Sequence, residues 1–394
     1  MSTTLAESNT GQHSIDMGEL SPHTKGPSLV DAAIADNCVV LNWHDGSRAS
    51  FPLLWLRDHC PCTRCRHPLT RERLFVPLAD IDEAPQTTLV EGGLRLKWTD
   101  GHVSLFDSVW LHQRRPDNDT DLASELTRIR RPWSANFTPA HVTHADFMTP
   151  DGEHQWLEAL LRDGLVLLDE GPLADEEVSR IATRIGPMRP TNFGARFDVY
   201  SKPNPNNAAY TAIALALHSD LPNWRQPPDI QLLYCLQNEA EGGESIFADG
   251  FAVAEELRKE APEAFRILSK TSIDFRFQDE EQDIATRAPI IELDDEGQLK
   301  EIRFNNWIRD TLRLPLDKIN AWYAAYRRFW QLLHDPRHQI EFALDQGQMV
   351  AFDNRRVLHG RRAFDPNTGK RHLQGTYLDM DMLESRLRVL KRRI

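Results

Sequence analysis

Cysteines stand at positions 60, 62 and 65, in the run Cys60-Pro-Cys-Thr-Arg-Cys65, and no other feature restricts what this chain can fold into so strongly. Three thiols this close cannot all pair with one another in sound disulfide geometry, which needs Cα atoms roughly 4.4–6.8 Å apart and Cβ atoms that face each other. From Met1 to about Gly26 the chain is polar and has no arginine. That is unlike a secretory signal or a transit peptide, so the segment is expected to be a disordered arm, ending near residue 30. A cytosolic, reducing setting follows as the expectation, and there clustered cysteines read as metal ligands rather than disulfides. Cys38 and Cys235 stand alone and read as core residues.

At 394 residues the chain exceeds one ordinary domain, and two are expected. No apolar run approaches the ~18 residues needed to cross a bilayer; Ala212 to Leu217 is only strand-sized. The net charge of −13 argues against nucleic acid or an anionic membrane as partner. Arg57, Arg64, Arg66, Arg71 and Arg73 make the cysteine region locally basic, and a zinc-knuckle nucleic-acid binder is the alternative of a different class.

Short strand-like stretches such as Cys38–Trp43 and Leu94–Trp98, followed by the turn signals Asp45-Gly46 and Asp100-Gly101, predict a small β-rich domain over 31–125. A second domain, α+β, is expected over 126–394. Its helices are expected from Thr149-Pro150 to Gly164, over 175–185, 251–269 and 316–335, and over 380–391. Strands are expected at Leu165–Leu168 and Met349–Phe352.

His218-Ser-Asp220 ends one strand-like run and His359 ends another. Two imidazoles and a carboxylate with open positions suit Fe(II). An H-x-D alone is a weak signal, because His144-Ala-Asp146 repeats it just before a helix start, where Asp is commonplace. Arg371, twelve residues after His359, strengthens the first motif: a buried guanidinium can clamp a dicarboxylate whose other end chelates iron.

Around these residues the chain resembles the gamma-butyrobetaine hydroxylase family, within the taurine-dioxygenase-like group. The resemblance rests on Asn206–Thr211, Leu217–Pro222, Pro227–Cys235, Gly242–Ser245, Ala248–Phe251, Phe352–Arg362 and Arg371–Tyr377, and runs from about residue 38 to the C-terminus. It implies a distorted double-stranded β-helix, or jelly roll, behind a zinc-binding N-terminal domain. It implies iron on His218, Asp220 and His359, with 2-oxoglutarate on Arg371, and O₂-dependent hydroxylation coupled to loss of CO₂ from the oxo acid. Ascorbate as reductant and a homodimer are expected on the same grounds.

The resemblance also implies a structural zinc on Cys60, Cys62, Cys65 and His102, with His67 and His59 as competing fourth ligands. Phe193, Phe197, Tyr210 and Tyr377 fall on the positions of an aromatic cage for a trimethylammonium group, which cannot donate hydrogen bonds and is held by ring faces. Asn207 and Asn306 fall on those that hold the acidic end. The leading substrate is gamma-butyrobetaine, giving L-carnitine. The alternatives are 2-(trimethylamino)ethylphosphonate, served by Arg196 or Arg309 turned inward, and trimethyllysine.

Overall fold

Along Leu165-Val-Leu-Leu168 successive side chains point to opposite sides of a sheet, as a strand's period of two requires. Leu165 and Leu167 enter one buried cluster, Val166 and Leu168 another. A strand apolar on both faces must lie between two layers. The computed structural model, which describes residues 15–20, 25–81, 83–116, 129–200 and 211–392, supplies those layers.

Residues from Leu122 onward form one unit, and those up to Asp121 another. The larger unit holds a six-stranded sheet, in the order Ala140–Thr143, Leu165–Asp169, Met349–Asp353, Ile230–Asn238, Arg371–Leu378 and Arg196–Val199. Its strands pair antiparallel except the first two. A four-stranded antiparallel sheet faces it, ordered Leu215–His218, Val357–Arg361, Ser245–Asp249 and Gln339–Phe342. Phe247, Ile340 and Val357 from the small sheet meet Leu165, Leu167, Val350, Phe352 and Leu373 from the large one. Two largely antiparallel sheets packed on a shared core make the expected jelly roll.

Helices cover the outer face of each sheet. Pro150–Asp163, Glu177–Ile185 and Met380–Lys391 pack on the large sheet through Trp156, Leu160, Ile181 and Leu387. The first begins as its sequence dictates: the Thr149 hydroxyl accepts from Gly152 N at 3.1 Å, and Gly164 ends it in the left-handed region at φ +73°. The helix expected over 251–269 is two helices, Gly250–Glu260 and Pro262–Lys270, broken at Ala261. Pro262 has no N–H to continue the ladder, and its ring drives the preceding residue out of helical geometry, to φ −142° and ψ 67°. These two and Leu316–Leu333 bury Leu257, Leu268 and Phe329 with Leu217, Ile246 and Leu358 of the small sheet.

In the N-terminal unit two three-stranded antiparallel sheets, Leu29–Ala35 with Cys38–Trp43 and Arg48–Pro52, and Gln86–Val90 with Gly93–Lys97 and Val103–Asp107, share a core of Leu41, Trp43, Phe51, Leu94, Leu96 and Phe106. Part of the arm expected to be disordered belongs to this core. Met17 is 3% exposed, Ile15 N donates to Asp107 at 3.1 Å, and Trp110 Nε1 donates to Glu19 at 2.7 Å. The polar composition of the arm hides the apolar anchors Ile15 and Met17, which is why it reads as disordered. Among the described residues no helix is long and apolar enough to cross a membrane.

Candidate active site and metal clusters

Strand pairing builds the first cluster. In the antiparallel ladder between Leu215–His218 and Val357–Arg361, His218 and His359 are direct partners, and their rings lie 4.2 Å apart, centroid to centroid. Asp220 joins them from the loop just beyond. Ser219 N donates to Phe304 O at 2.7 Å, Ser219 Oγ accepts from Phe304 N at 3.0 Å, and Leu221 adopts φ +54°. The Asp220 Oδ1 to His218 Nε2 distance is 3.4 Å, and Oδ2 to His359 Nε2 is 3.8 Å. Ligand-capable atoms of the three lie within 4.8 Å of one another.

The protonation states suit a metal. His218 Nδ1 faces Ala216 O at 2.9 Å, which leaves Nε2 as the ring nitrogen directed at Asp220. Burial, then the neighbouring His218, pushes His359 down to about 3. Burial opposes ionisation of Asp220, but His359, His218 and the Tyr377 hydroxyl outweigh it and hold the carboxyl below its ordinary range. A carboxylate and a neutral imidazole are the forms that ligate.

Two cavities meet at this cluster and share Phe197, Val199, Leu215, His218 and Asp220. One continues to His359, Gln231, Ser245, Arg361 and Arg371. Arg361 Nη2 donates to Thr211 O and Ile213 O at 2.7 and 2.9 Å, and burial, then Arg371, pushes its pKa down to about 10. Burial likewise lowers Arg371, whose guanidinium lies 5.5 Å over the Phe364 ring and has no carboxylate partner among the described residues. Arg371, buried and with no carboxylate partner among the described residues, makes this end of the cavity a place for an anion.

The other cavity continues to Phe193, Phe277, Trp307, Ile308, Leu221, Asn305 and Tyr377. Ring centroids run 6.4 Å from Phe277 to Phe193, 6.4 Å from Phe193 to Phe197, and 5.2 Å from Phe197 to Tyr377, with Trp307 4.7 Å from His218. Among the described residues no lysine or arginine lines it, and Asp220 is its only carboxylate.

Three of the four expected cage rings are therefore together. Tyr210 and Asn207 lie outside the described residues. Asn306 is exposed and lines neither cavity, and its Oδ1 accepts from Tyr326 OH at 3.2 Å. Asn305 lines the cavity, and its Oδ1 caps the turn by accepting from Trp307 N and Ile308 N, both at 3.2 Å. Phe277 and Trp307 were not singled out from sequence, where a lone aromatic in a strand or turn carries no mark of its destination. The decoy motif is structural: His144 Nε2 sits 3.0 Å from Glu177, and Asp146 closes a helix cap with Thr143.

In the N-terminal unit the three cysteines follow the helix Leu53–Asp58, and the turn after Gly93–Lys97 returns His102 to them. His102 Nε2 lies 3.2, 3.6 and 3.6 Å from the sulfurs of Cys60, Cys62 and Cys65. Burial, then the adjacent cysteines, pushes Cys65 up to about 12, and burial with Arg57 pushes His102 down to about 4. Three sulfurs and one imidazole nitrogen within 4.8 Å of one another form a set that could hold a metal ion. His59 instead stacks on Trp55 at 4.1 Å, and His67 Nδ1 accepts from Leu69 N and Thr70 N at 3.3 and 3.1 Å.

Residues 125–377 match the family described as Taurine catabolism dioxygenase TauD, TfdA family. The chain belongs to that family. Residues 31–112 of this TauD/TfdA-family dioxygenase match a second family, Gamma-butyrobetaine hydroxylase-like, N-terminal. It is 41% identical over 370 residues to Gamma-butyrobetaine dioxygenase of Pseudomonas sp. (strain AK-1), covering 92% of this chain and 96% of that one. The Homo sapiens protein of the same name is 34% identical over 364 residues, covering 89% and 94%. Trimethyllysine dioxygenase, mitochondrial, of Bos taurus is 31% identical over 353 residues, covering 86% and 82%. As a dioxygenase of this family the chain depends on iron(II) and 2-oxoglutarate, and its two-histidine, one-carboxylate cluster between an anion site and an apolar cavity fits that pair.

Proposed function

We propose that this enzyme hydroxylates gamma-butyrobetaine to L-carnitine. One observation carries the reading: two cavities of opposite character share His218 and Asp220. Arg371 and Arg361 make one suited to a dicarboxylate. The other, among the described residues, offers aromatic faces and one carboxylate, the surroundings a quaternary ammonium selects. The 41% identity with a gamma-butyrobetaine dioxygenase across nearly the full length of both chains supports the same substrate.

On this reading His218, Asp220 and His359 hold iron, and Arg371 holds the far carboxylate of 2-oxoglutarate through its planar fork. The bound iron and oxo acid supply the oxidising power toward an unactivated C–H bond that no side chain has. The chain's own part is placement: Phe193, Phe197, Phe277 and Trp307 exclude water and hold the cationic head, which fixes the distance of the butyrate chain from the metal ligands. Cys60, Cys62, Cys65 and His102 hold a structural zinc, since four protein donors close a tetrahedral site. Ascorbate-supported turnover, a homodimer and a cytosolic setting accompany the reading.

The phosphonate alternative needed an inward guanidinium. Arg196 pairs with Asp175 at 2.9 Å and Arg309 lies over the rings of Trp322 and Tyr326 at 5.6 and 5.4 Å, which favours the singly charged carboxylate. The test is a turnover panel of gamma-butyrobetaine, 2-(trimethylamino)ethylphosphonate and trimethyllysine with Fe(II), 2-oxoglutarate and ascorbate, read by product mass. Gamma-butyrobetaine should give the highest kcat/KM, and a higher value for either rival overturns the assignment.

A further inference from the structure

Tyr377 belongs to both halves of the site at once. Its ring lines the aromatic cavity, 5.2 Å from Phe197, and its hydroxyl donates to Asp220 Oδ2 at 2.8 Å. The side chain is 2% exposed, so water does not compete for this contact. Tyr377 lies next to the end of the strand Arg371–Leu378, pinned through Gln231, its partner in Ile230–Asn238. The backbone is therefore fixed, and only the ring can respond to what enters the cavity.

The geometry points to Tyr377 as a positioning residue that couples occupancy of the aromatic cavity to the metal-binding carboxylate. Its hydroxyl fills a lone pair of Oδ2 and leaves Oδ1, 3.4 Å from His218 Nε2, as the freer donor, which biases Asp220 toward ligation through one oxygen. A cation set against the ring draws on its π face and shifts it. The same shift stretches or straightens the hydrogen bond and so changes the donor strength of Asp220. Groups that hydrogen-bond a ligand's other atom tune both its orientation and its basicity, and their loss lowers metal affinity 10–100-fold. The inference rests on the proposed trimethylammonium substrate only for the identity of the cation, while the hydrogen bond stands without it.

Tyr377→Phe keeps the ring and removes the hydroxyl. Co(II) titrated into the full-length protein, with 2-oxoglutarate and without O₂, reports the ligand field through its visible spectrum. In the substrate-free state Tyr377→Phe should bind Co(II) about tenfold more weakly, with an altered spectrum. Adding gamma-butyrobetaine should shift the wild-type spectrum and leave that of Tyr377→Phe nearly unmoved, although calorimetry finds its affinity for gamma-butyrobetaine within about twofold of wild type. With iron and O₂, the variant should consume severalfold more 2-oxoglutarate per hydroxylated product. Unchanged Co(II) affinity and spectrum in the substrate-free variant overturn the inference, as does a substrate-induced shift that survives the substitution. If wild type fails to bind gamma-butyrobetaine while the substrate-free differences persist, the substrate reading falls and the hydrogen bond stands. In that case tetramethylammonium replaces it as the cation probe, and a tetramethylammonium shift equal in both proteins overturns the coupling.

Discussion

Asn354 clasps the backbone of Asp220 from both sides: its Oδ1 accepts from Asp220 N at 2.7 Å, and its Nδ2 donates to Asp220 O at 3.1 Å. A third bond, to Pro228 O at 2.9 Å, anchors the amide itself, which is 1% exposed. Asn354→Leu keeps the volume but abandons one donor and two acceptors in a buried setting. It should cost about 2–4 kcal/mol of stability, from roughly 1–3 per unsatisfied group with some relaxation, and weaken Fe(II) binding. Denaturant unfolding with metal titration checks both, and an unchanged metal affinity would show that Asp220 is held in place by other contacts.

Removing a proposed iron ligand tests His218, Asp220 and His359 against the second H-x-D motif. Asp220→Ala should abolish substrate-dependent succinate formation while leaving the fold intact. His144→Ala loses only a part-buried contact to Glu177 and should retain activity. Equal losses in both variants, measured as succinate per chain, would dissolve the distinction.

Zinc should be present at about one atom per chain in freshly purified protein, and should outlast a mild chelator that strips iron. Since binding to such a site is part of folding, Cys62→Ser should lower Tm far more than Asp220→Ala does. Metal analysis that finds no zinc defeats the assignment.

Arg371→Lys preserves the charge and loses the fork. The KM for 2-oxoglutarate should rise more than tenfold, equivalent to about 1.4 kcal/mol, with little change in the KM for the hydroxylated substrate. An unaltered 2-oxoglutarate dependence would pass the role to Arg361.

A buried ion pair supports the sandwich away from the site. Arg356 Nη2 donates to Asp249 Oδ2 at 2.8 Å, with side chains 1% and 0% exposed, and Asp249 also accepts from Trp133 N and caps the helix Gly250–Glu260. Asp249→Ala should destabilise by about 3–5 kcal/mol, because it strands the guanidinium in a dry interior. A loss below about 1 kcal/mol in urea unfolding would mean that the bonds from Arg356 to Arg162 O and Arg131 O suffice to hold the charge.

What the sequence reveals depends on whether a residue's role is local. Thr149-Pro150 and Gly164 bracket a helix by their own backbone chemistry, and the spacing of Cys60, Cys62 and Cys65 announces a cluster without tertiary information. The convergence of His218, Asp220 and His359 is legible because metal ligation would demand rare residue types. Asn305 against Asn306 is not, since adjacent asparagines in a turn differ only in which one caps it. Nor are Phe277 and Trp307, brought in by a hairpin and a loop far along the chain. Tyr377 was legible as an aromatic wall, yet its hydroxyl contact is a matter of tertiary approach across 157 positions.

The pairing of His218 with His359 across the ladder has a consequence for how this scaffold can change over time or under an engineer's hand. Because faces alternate residue by residue, one inserted or deleted residue between Asp353 and His359 would rotate the second imidazole to the far side of its strand. Point substitutions around the cavities retune what is accepted, whereas length changes in that tight turn erase the centre outright. Exposed hairpin tips such as 279–282 are free of this restriction, so new recognition surfaces are best grafted there.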